Sequence, residues 1–254
     1  MILKKTLITF AFVALTSVHL MAQEILMVAD EFPAMEVLAK SLKQMEGLSS
    51  QIISQKELPN DLSGFQAVVV YIHKDLDAGP EEAFIQYAKA GGKLILLHHT
   101  ISSGKRKNKD WFSFLGLELP LANQTAPAYK YIDDMNMDIV NLAPSHFITT
   151  HKVVYPKKIK YQPEGTSKPK KLAGFNFPKT EVYMNHHLVT PRTLLLGFKF
   201  TDPEGREWTQ DRSAWCMNTG KGWVFYSQAG HYAQDFEDPT YARILANAVV
   251  YNPE

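Results

Sequence analysis

The sequence predicts an α/β protein: a doubly wound, mainly parallel sheet flanked by helices and carrying a β-rich insertion. Three observations lead there. Short apolar runs bounded by glycine, best seen at residues 91–100 (GGKLILLHHT), have the length and composition of strands covered on both faces. Segments with helical spacing alternate with those runs in the first part of the chain, as crossover connections require. Three runs end on an ionisable residue, Asp30, His73 or His98. Parallel strands put such ends on one edge, where open α/β sheets bind ligands.

Lys4 and Lys5, an apolar stretch over residues 7–15 and the small residue Ala22 read as a secretory signal peptide cut after Ala22. The alternative is an uncleaved anchor. Residues 23–254 then form one domain, expected in the periplasm or outside the cell. Cys216 is the only cysteine. It cannot close an internal disulfide and offers no lipid-attachment site behind the signal, so the hydrophobic core must hold the fold.

Residues 24–29 form the first strand, and Pro33 suits the first turn of a helix. Met35, Leu38, Ala39, Leu42 and Met45 follow at helical spacing, with Gly47 as the stop. Residues 51–54 suggest a short strand, 62–64 a turn and 67–72 (AVVVYI) a buried strand. A helix over 80–90 turns Phe84, Ile85 and Ala88 inward and closes at Gly91-Gly92. After the central strand come a polar, basic stretch and a short helix around residues 111–115. Residues 120–191 read as a β-rich insertion or cover, with a strand candidate at 147–155. Strands return at 193–200, 214–218 and 222–227, the last two joined by the hairpin signature Thr219-Gly220-Lys221. Asp238-Pro239 opens a final helix with Ile244, Leu245, Ala248 and Val249 inside.

A formal net charge of +1 supplies no field to steer the protein to nucleic acid, and no segment after the signal suits stable membrane insertion. Lys105, Arg106, Lys107 and Lys109 either meet an anionic substrate or, more commonly for such a run, solvate a loop. The lysines between 157 and 171 read as a solvated loop, and His186-His187 as a pair in a polar loop.

Several blocks resemble the ThuA-like (trehalose utilisation) family. Residues 91–100 look like its glycine–strand–histidine block, and residues 111–117 (WFSFLGL) its "W…LLG". Residues 145–148 are similar to "HPI" with Phe147 replacing the proline. Thr180-Glu181-Val182-Tyr183 is similar to "DE-x-Y" with threonine for aspartate. Residues 214–231 (AWCMNTGKGWVFYSQAGH) resemble "AW…GKGRVFY…GH". The resemblance implies a flavodoxin-like fold similar to the class I glutamine amidotransferase domain, and a role in carbohydrate utilisation. Amidotransferases carry a nucleophilic cysteine on the turn after the central strand. Here that turn holds His98 and His99, so covalent glutamine hydrolysis is not expected.

The candidate catalytic residues are His98 and His231, each just past an apolar strand, with Glu181 and His146 to orient them. Imidazole relays protons near neutral pH, and an adjacent carboxylate favours its protonated form. Asp30, His73, His99, Trp111, Tyr183 and Tyr232 are candidates for substrate contact, the aromatics as surfaces for sugar rings. Alternation along a strand would turn His98 and His99 to opposite faces. No cofactor is assigned. His98, His146 and His231 are ligand types that a divalent metal such as zinc accepts, but no HExxH or similarly spaced pair supports one. The expected partner is a small-molecule carbohydrate. The expected chemistry is acid–base isomerisation, elimination or hydrolysis of a sugar, keto-sugar or glycoside. A non-catalytic carbohydrate-binding or accessory protein on the same scaffold is the alternative.

Overall fold

The computed structural model describes residues 24–123 and 127–253; the segment expected to be a signal peptide lies outside them. In chain order the strands and helices are β1 (Ile25–Ala29), α1 (Phe32–Glu46), β2 (Ser50–Ile53), β3 (Ala67–Tyr71), α2 (Ala78–Ala90), β4 (Lys93–Leu97), α3 (Trp111–Leu115) and β5 (Leu117–Glu118). Next come β6 (Lys130–Asn141), α4 (Phe147–Thr150), β7 (Lys157–Tyr161), β8 (Lys170–Met184) and β9 (His187–Leu188). The chain closes with β10 (Thr193–Thr201), β11 (Glu207–Thr219), β12 (Gly222–Ser227) and α5 (Pro239–Val250). Among the described residues no helix is long and apolar enough to cross a membrane.

One sheet of ten strands runs through the molecule in the order β2-β1-β3-β4-β12-β11-β10-β6-β8-β7. From β2 to β12 every pairing is parallel, in the 2-1-3-4-5 order of flavodoxin-like sheets. From β12 to β7 every pairing is antiparallel. The sheet is therefore mixed, not mainly parallel. The reason is local: β11 and β12 are joined by Gly220-Lys221 alone, and a two-residue connection can only reverse the chain. Gly220 adopts φ +57°, and a Cβ there would stand 2.4 Å from the Lys89 carbonyl oxygen, so the turn needs glycine.

The β-rich middle thus extends the main sheet instead of covering it. Residues 147–150 form the short helix α4 where a strand was expected, with the His146 side chain accepting from the Ile148 N–H. Of the lysines between 157 and 171, Lys168 lies in the loop joining β7 to β8, and the others sit on those two strands. Exposed lysines on edge strand β7 discourage pairing with another chain.

Apolar packing occupies both faces of the parallel half. Ile25, Met27 and Ala29 meet Met35, Leu38 and Leu42 of α1 and Ile244, Leu245 and Ala248 of α5. Leu26 and Val28 meet Phe84, Ile85 and Ala88 of α2 and Trp111 and Leu115 of α3. Gly47 ends α1 in the left-handed conformation, φ +71°, with its N–H bonded to the Lys43 carbonyl. Asp238 caps α5 by accepting from the Tyr241 N–H at 2.9 Å.

Leu38 is enclosed between α1 and the sheet, whereas Lys40 on the same helix faces water. Leu38→Ala is expected to lower the urea-unfolding free energy by about 2–5 kcal/mol. Lys40→Ala should stay within about 0.5 kcal/mol of the parent.

Candidate functional site

The ends of the parallel strands converge as expected. β4 stops at Leu97, and residues 98–101 turn into a 3-10 helix. His98 takes φ +41°, a left-handed conformation that costs energy in any residue bearing a Cβ. That turn breaks strand alternation, so His98 and His99 reach one cluster instead of opposite faces. Trp111, buried at 0% exposure in the core, supports the turn by donating its Nε1–H to the Thr100 carbonyl at 2.8 Å. It is a supporting residue and offers no face to a substrate.

The second strand end is Gly230-His231, beyond β12. Gly230 has φ +97°, and a Cβ there would come within 2.8 Å of Phe236 and 2.9 Å of the Tyr241 hydroxyl. The Asp235 carboxylate accepts from the N–H groups of His231 (2.9 Å) and Tyr232 (3.2 Å) and from the Thr180 hydroxyl (3.1 Å). Thr180, the departure from the family pattern, is thus a donor to a neighbouring carboxylate. Two buried tyrosines hold the histidine backbones: Tyr226 donates to the His98 carbonyl and Tyr71 to that of His231.

Glu181 comes from the antiparallel half. Ile132 pairs Val182 and Met135 pairs Thr180, so Asp133 and Asp134 both lie opposite Glu181. This bulge, with Asp134 at φ +58°, sets Glu181 at the strand ends.

At the centre His98 Nδ1 bonds to the Gln228 carbonyl oxygen. A carbonyl only accepts, so Nδ1 carries hydrogen. Nε2 lies 2.8 Å from Glu181 Oε2 and 2.9 Å from His231 Nδ1. His231 Nδ1 is 3.6 Å from the same carboxylate oxygen, and His99 Nδ1 is 3.9 Å from it. Tyr183 stacks on His98 with centroids 4.8 Å apart and bonds through its hydroxyl to His99 Nδ1 at 2.9 Å. His73 stacks on His99 at 3.8 Å, and its Nδ1 bonds to Glu31 at 2.9 Å. Asp30 fixes the loop below by accepting from the backbone N–H groups of His73 and Lys74.

Burial and neighbours set the charges. His99 is held far below the usual imidazole range by burial and then by His98, His73 and His231. His231 is lowered by burial and by His98, with Glu181 opposing. Burial would raise the Glu181 carboxyl, but hydrogen bonds from His98 and Tyr183 and the nearby imidazoles keep it low. Asp133 is raised by burial and by Glu181. The cluster opens through His231, whose side chain is 15% exposed, and through His73, 51% exposed. A cavity of about 450 Å³ adjoins it, lined by residues 30–34 and 231–233, including Tyr232. Two larger cavities, of 1010 and 920 Å³, lie by the starts of β4 and β12 and hold no imidazole–carboxylate cluster.

His146 is not part of this site. It lines the 920 Å³ cavity beside Trp223, at the opposite edge of the sheet, and packs its ring on Tyr251. Cys216 lines that cavity too, with burial pushing its thiol up to about 11. His186 is completely buried, and burial lowers its imidazole to about 3. No sequence signal marks the roles of Glu31, Asp133, Gln228 and Asp235, because each follows from a partner distant in the chain or from a bulge.

An α/β protein of the doubly wound kind, with imidazoles and a carboxylate gathered over the carboxyl ends of its parallel strands, is the class that fold and site define. The chain belongs to the ThuA family (trehalose utilisation), whose model matches residues 23–252. Among solved structures it is similar to a ThuA-like protein from Bacteroides uniformis ATCC 8492, at 16% identity and TM-score 0.57, with 89% of each chain covered. It is also similar to a β-galactosidase from Rahnella sp. R3 (12% identity, TM-score 0.56) and to a carbohydrate deacetylase (10% identity, TM-score 0.53). In these two, 89% of this chain is covered against only 30% and 31% of the other chain. At such identities the likeness concerns the fold. No curated protein matches.

Lys105, from the basic run, is buried and donates its Nζ hydrogens to the carbonyls of Ile72, His73 and Lys74 at 2.8, 2.9 and 2.6 Å. It pins the loop that carries His73. Burial lowers its ammonium to about 8 from 10.5. Between those two values the unfolded chain binds more protons than the folded one, so this group makes stability rise with pH through that window. Urea unfolding at pH 8 and pH 10 should show that rise in the parent and a smaller one in Lys105→Met.

Proposed function

We propose that this chain is an exported protein of carbohydrate utilisation that acts on a sugar, keto-sugar or glycoside by acid–base chemistry at the His98–Glu181–His231 cluster. One observation carries the reading: a buried imidazole–carboxylate array, tied to the backbone at both histidines, opens to a cavity through His231, with His73 exposed to solvent beside it. Such an array has the parts needed to move a proton next to a carbonyl or glycosidic oxygen. Membership of a trehalose-utilisation family supports the substrate class. The basic, apolar N-terminal stretch supports export.

The roles divide by exposure. His98 has no exposed surface, so it acts through its neighbours, while His231 reaches the cavity. The cluster faces the substrate oxygen through His231 and stabilises the negative charge that develops there. His73 is the base: the Glu31 carboxylate accepts from its Nδ1–H, which leaves Nε2 with a lone pair. Asp30 and Lys105 hold the His73 loop in place, and Tyr232 offers a ring face at the cavity mouth, its centroid 4.2 Å from that of His231. The accessory reading has one observation in its favour: the same fold covers only about a third of larger carbohydrate enzymes.

Purified protein should be screened against keto-sugars and glycosides, reading product formation and deuterium uptake at the carbon beside the carbonyl. His231→Ala and His73→Ala are each expected to lower turnover by about 10²–10⁴-fold with sugar binding retained. His146→Ala should leave turnover unchanged. Turnover unaffected in His231→Ala would overturn the site; binding without turnover in the parent would establish the accessory reading.

A further inference from the structure

We propose that His98, His231 and Glu181 bind a divalent cation of the zinc type, with the fourth position open toward the cavity at His231. This deepens the reading above by naming the acid of the site, and for its chemical role it rests on that reading. Binding itself does not.

The argument begins with hydrogen bookkeeping. His98 Nδ1 spends its hydrogen on the Gln228 carbonyl. Nε2 then faces Glu181 Oε2, which only accepts, and His231 Nδ1, which carries either a lone pair or a hydrogen according to its tautomer. A single hydrogen on any of the three atoms points well along one contact only. A cation among them makes all three contacts attractive at once. The carbonyl bond is also what fixes a metal-binding imidazole in the correct tautomer.

The distances agree. The sides of the triangle are 2.8, 2.9 and 3.6 Å. Such a triangle has a circumscribed radius of about 1.8 Å, so a point about 0.9 Å above its plane lies about 2.05 Å from all three atoms, the ordinary zinc bond length. Two imidazoles and one carboxylate with an open fourth position form a donor set suited to zinc and to its role as a Lewis acid.

His99 stands beside the triangle: its Nδ1 lies 3.9 Å from Glu181 Oε2, and it belongs to a group of four residues whose donor atoms all lie within 4.8 Å of one another. Its Nε2 has no hydrogen-bond partner among the described residues. Loaded in this way, the cluster polarises the substrate oxygen through the cation, and His73 remains the base.

The test is binding of zinc and of cobalt to the chelator-treated full chain, by calorimetry and by the visible absorption of the cobalt form. One ion per chain is expected, with a cobalt spectrum of a four-coordinate nitrogen–oxygen site. Glu181→Gln and His231→Ala should each weaken binding by at least ~10–100-fold. His146→Ala should leave it unchanged. Circular dichroism shows that each variant is folded, and His231→Ala, at the more exposed ligand, serves if Glu181→Gln is not. Absence of one-to-one binding, or equal affinity in the folded ligand variants, would overturn the proposal. Sugar turnover unchanged by chelation would overturn the cation's role as the acid and leave the reaction standing. A bound ion without turnover would do the reverse.

Discussion

The hydrogen bond from His98 to the Gln228 carbonyl is the interaction on which the site depends. It joins the residue just past β4 to the residue just past β12, two neighbouring parallel strands in register from Trp223–Lys93 to Ser227–Leu97. Gln228 is held in turn by its N–H bond to the Ser213 carbonyl on β11 at 2.7 Å. A bond so placed forces His98 out of the strand conformation and fixes which of its nitrogens is free. The left-handed φ of His98 is stored strain, offset by Tyr226 on its carbonyl and Tyr183 across its ring. Once His98 is set, His231, Glu181 and His99 have a common point to meet.

The mixed sheet has a functional consequence. A five-stranded parallel core alone would supply imidazoles and Asp30 along one edge, and no carboxylate beside His98. The antiparallel extension brings Glu181 from β8, on the far side of β11 and β10. The β6 bulge at Asp133 and Asp134 lies directly opposite Glu181. The Thr180–Asp235 contact ties that bulge to the loop carrying His231. Both halves of the sheet therefore have to fold before the cluster exists.

The sequence made the parallel core legible because an apolar run covered on both faces looks the same whatever its neighbours. Residues 24–29, 67–72 and 91–98 announced themselves in this way, and so did His98 and His231 as strand ends. Strand direction was not legible in the middle region, since alternating and apolar runs do not say which partner they join. His98 and His99 were assigned to opposite faces because a left-handed histidine has no sequence signal. His146 carried a family pattern but became a helix cap. Lys105 sat in a charge run that reads as solvated, yet three orphaned carbonyls captured it. Asp133 gained a place near the site through a bulge, and bulges are set by pairing at long range.

The most direct measurement is the nitrogen-15 resonance of the His98 ring in the folded protein. The account predicts hydrogen on Nδ1, with the Gln228 carbonyl as its acceptor, and Nε2 directed at Glu181 and His231. A ring with Nδ1 bare and its only hydrogen on Nε2 would contradict it, because neither the turn at His98 nor the convergence on Glu181 would then have its cause.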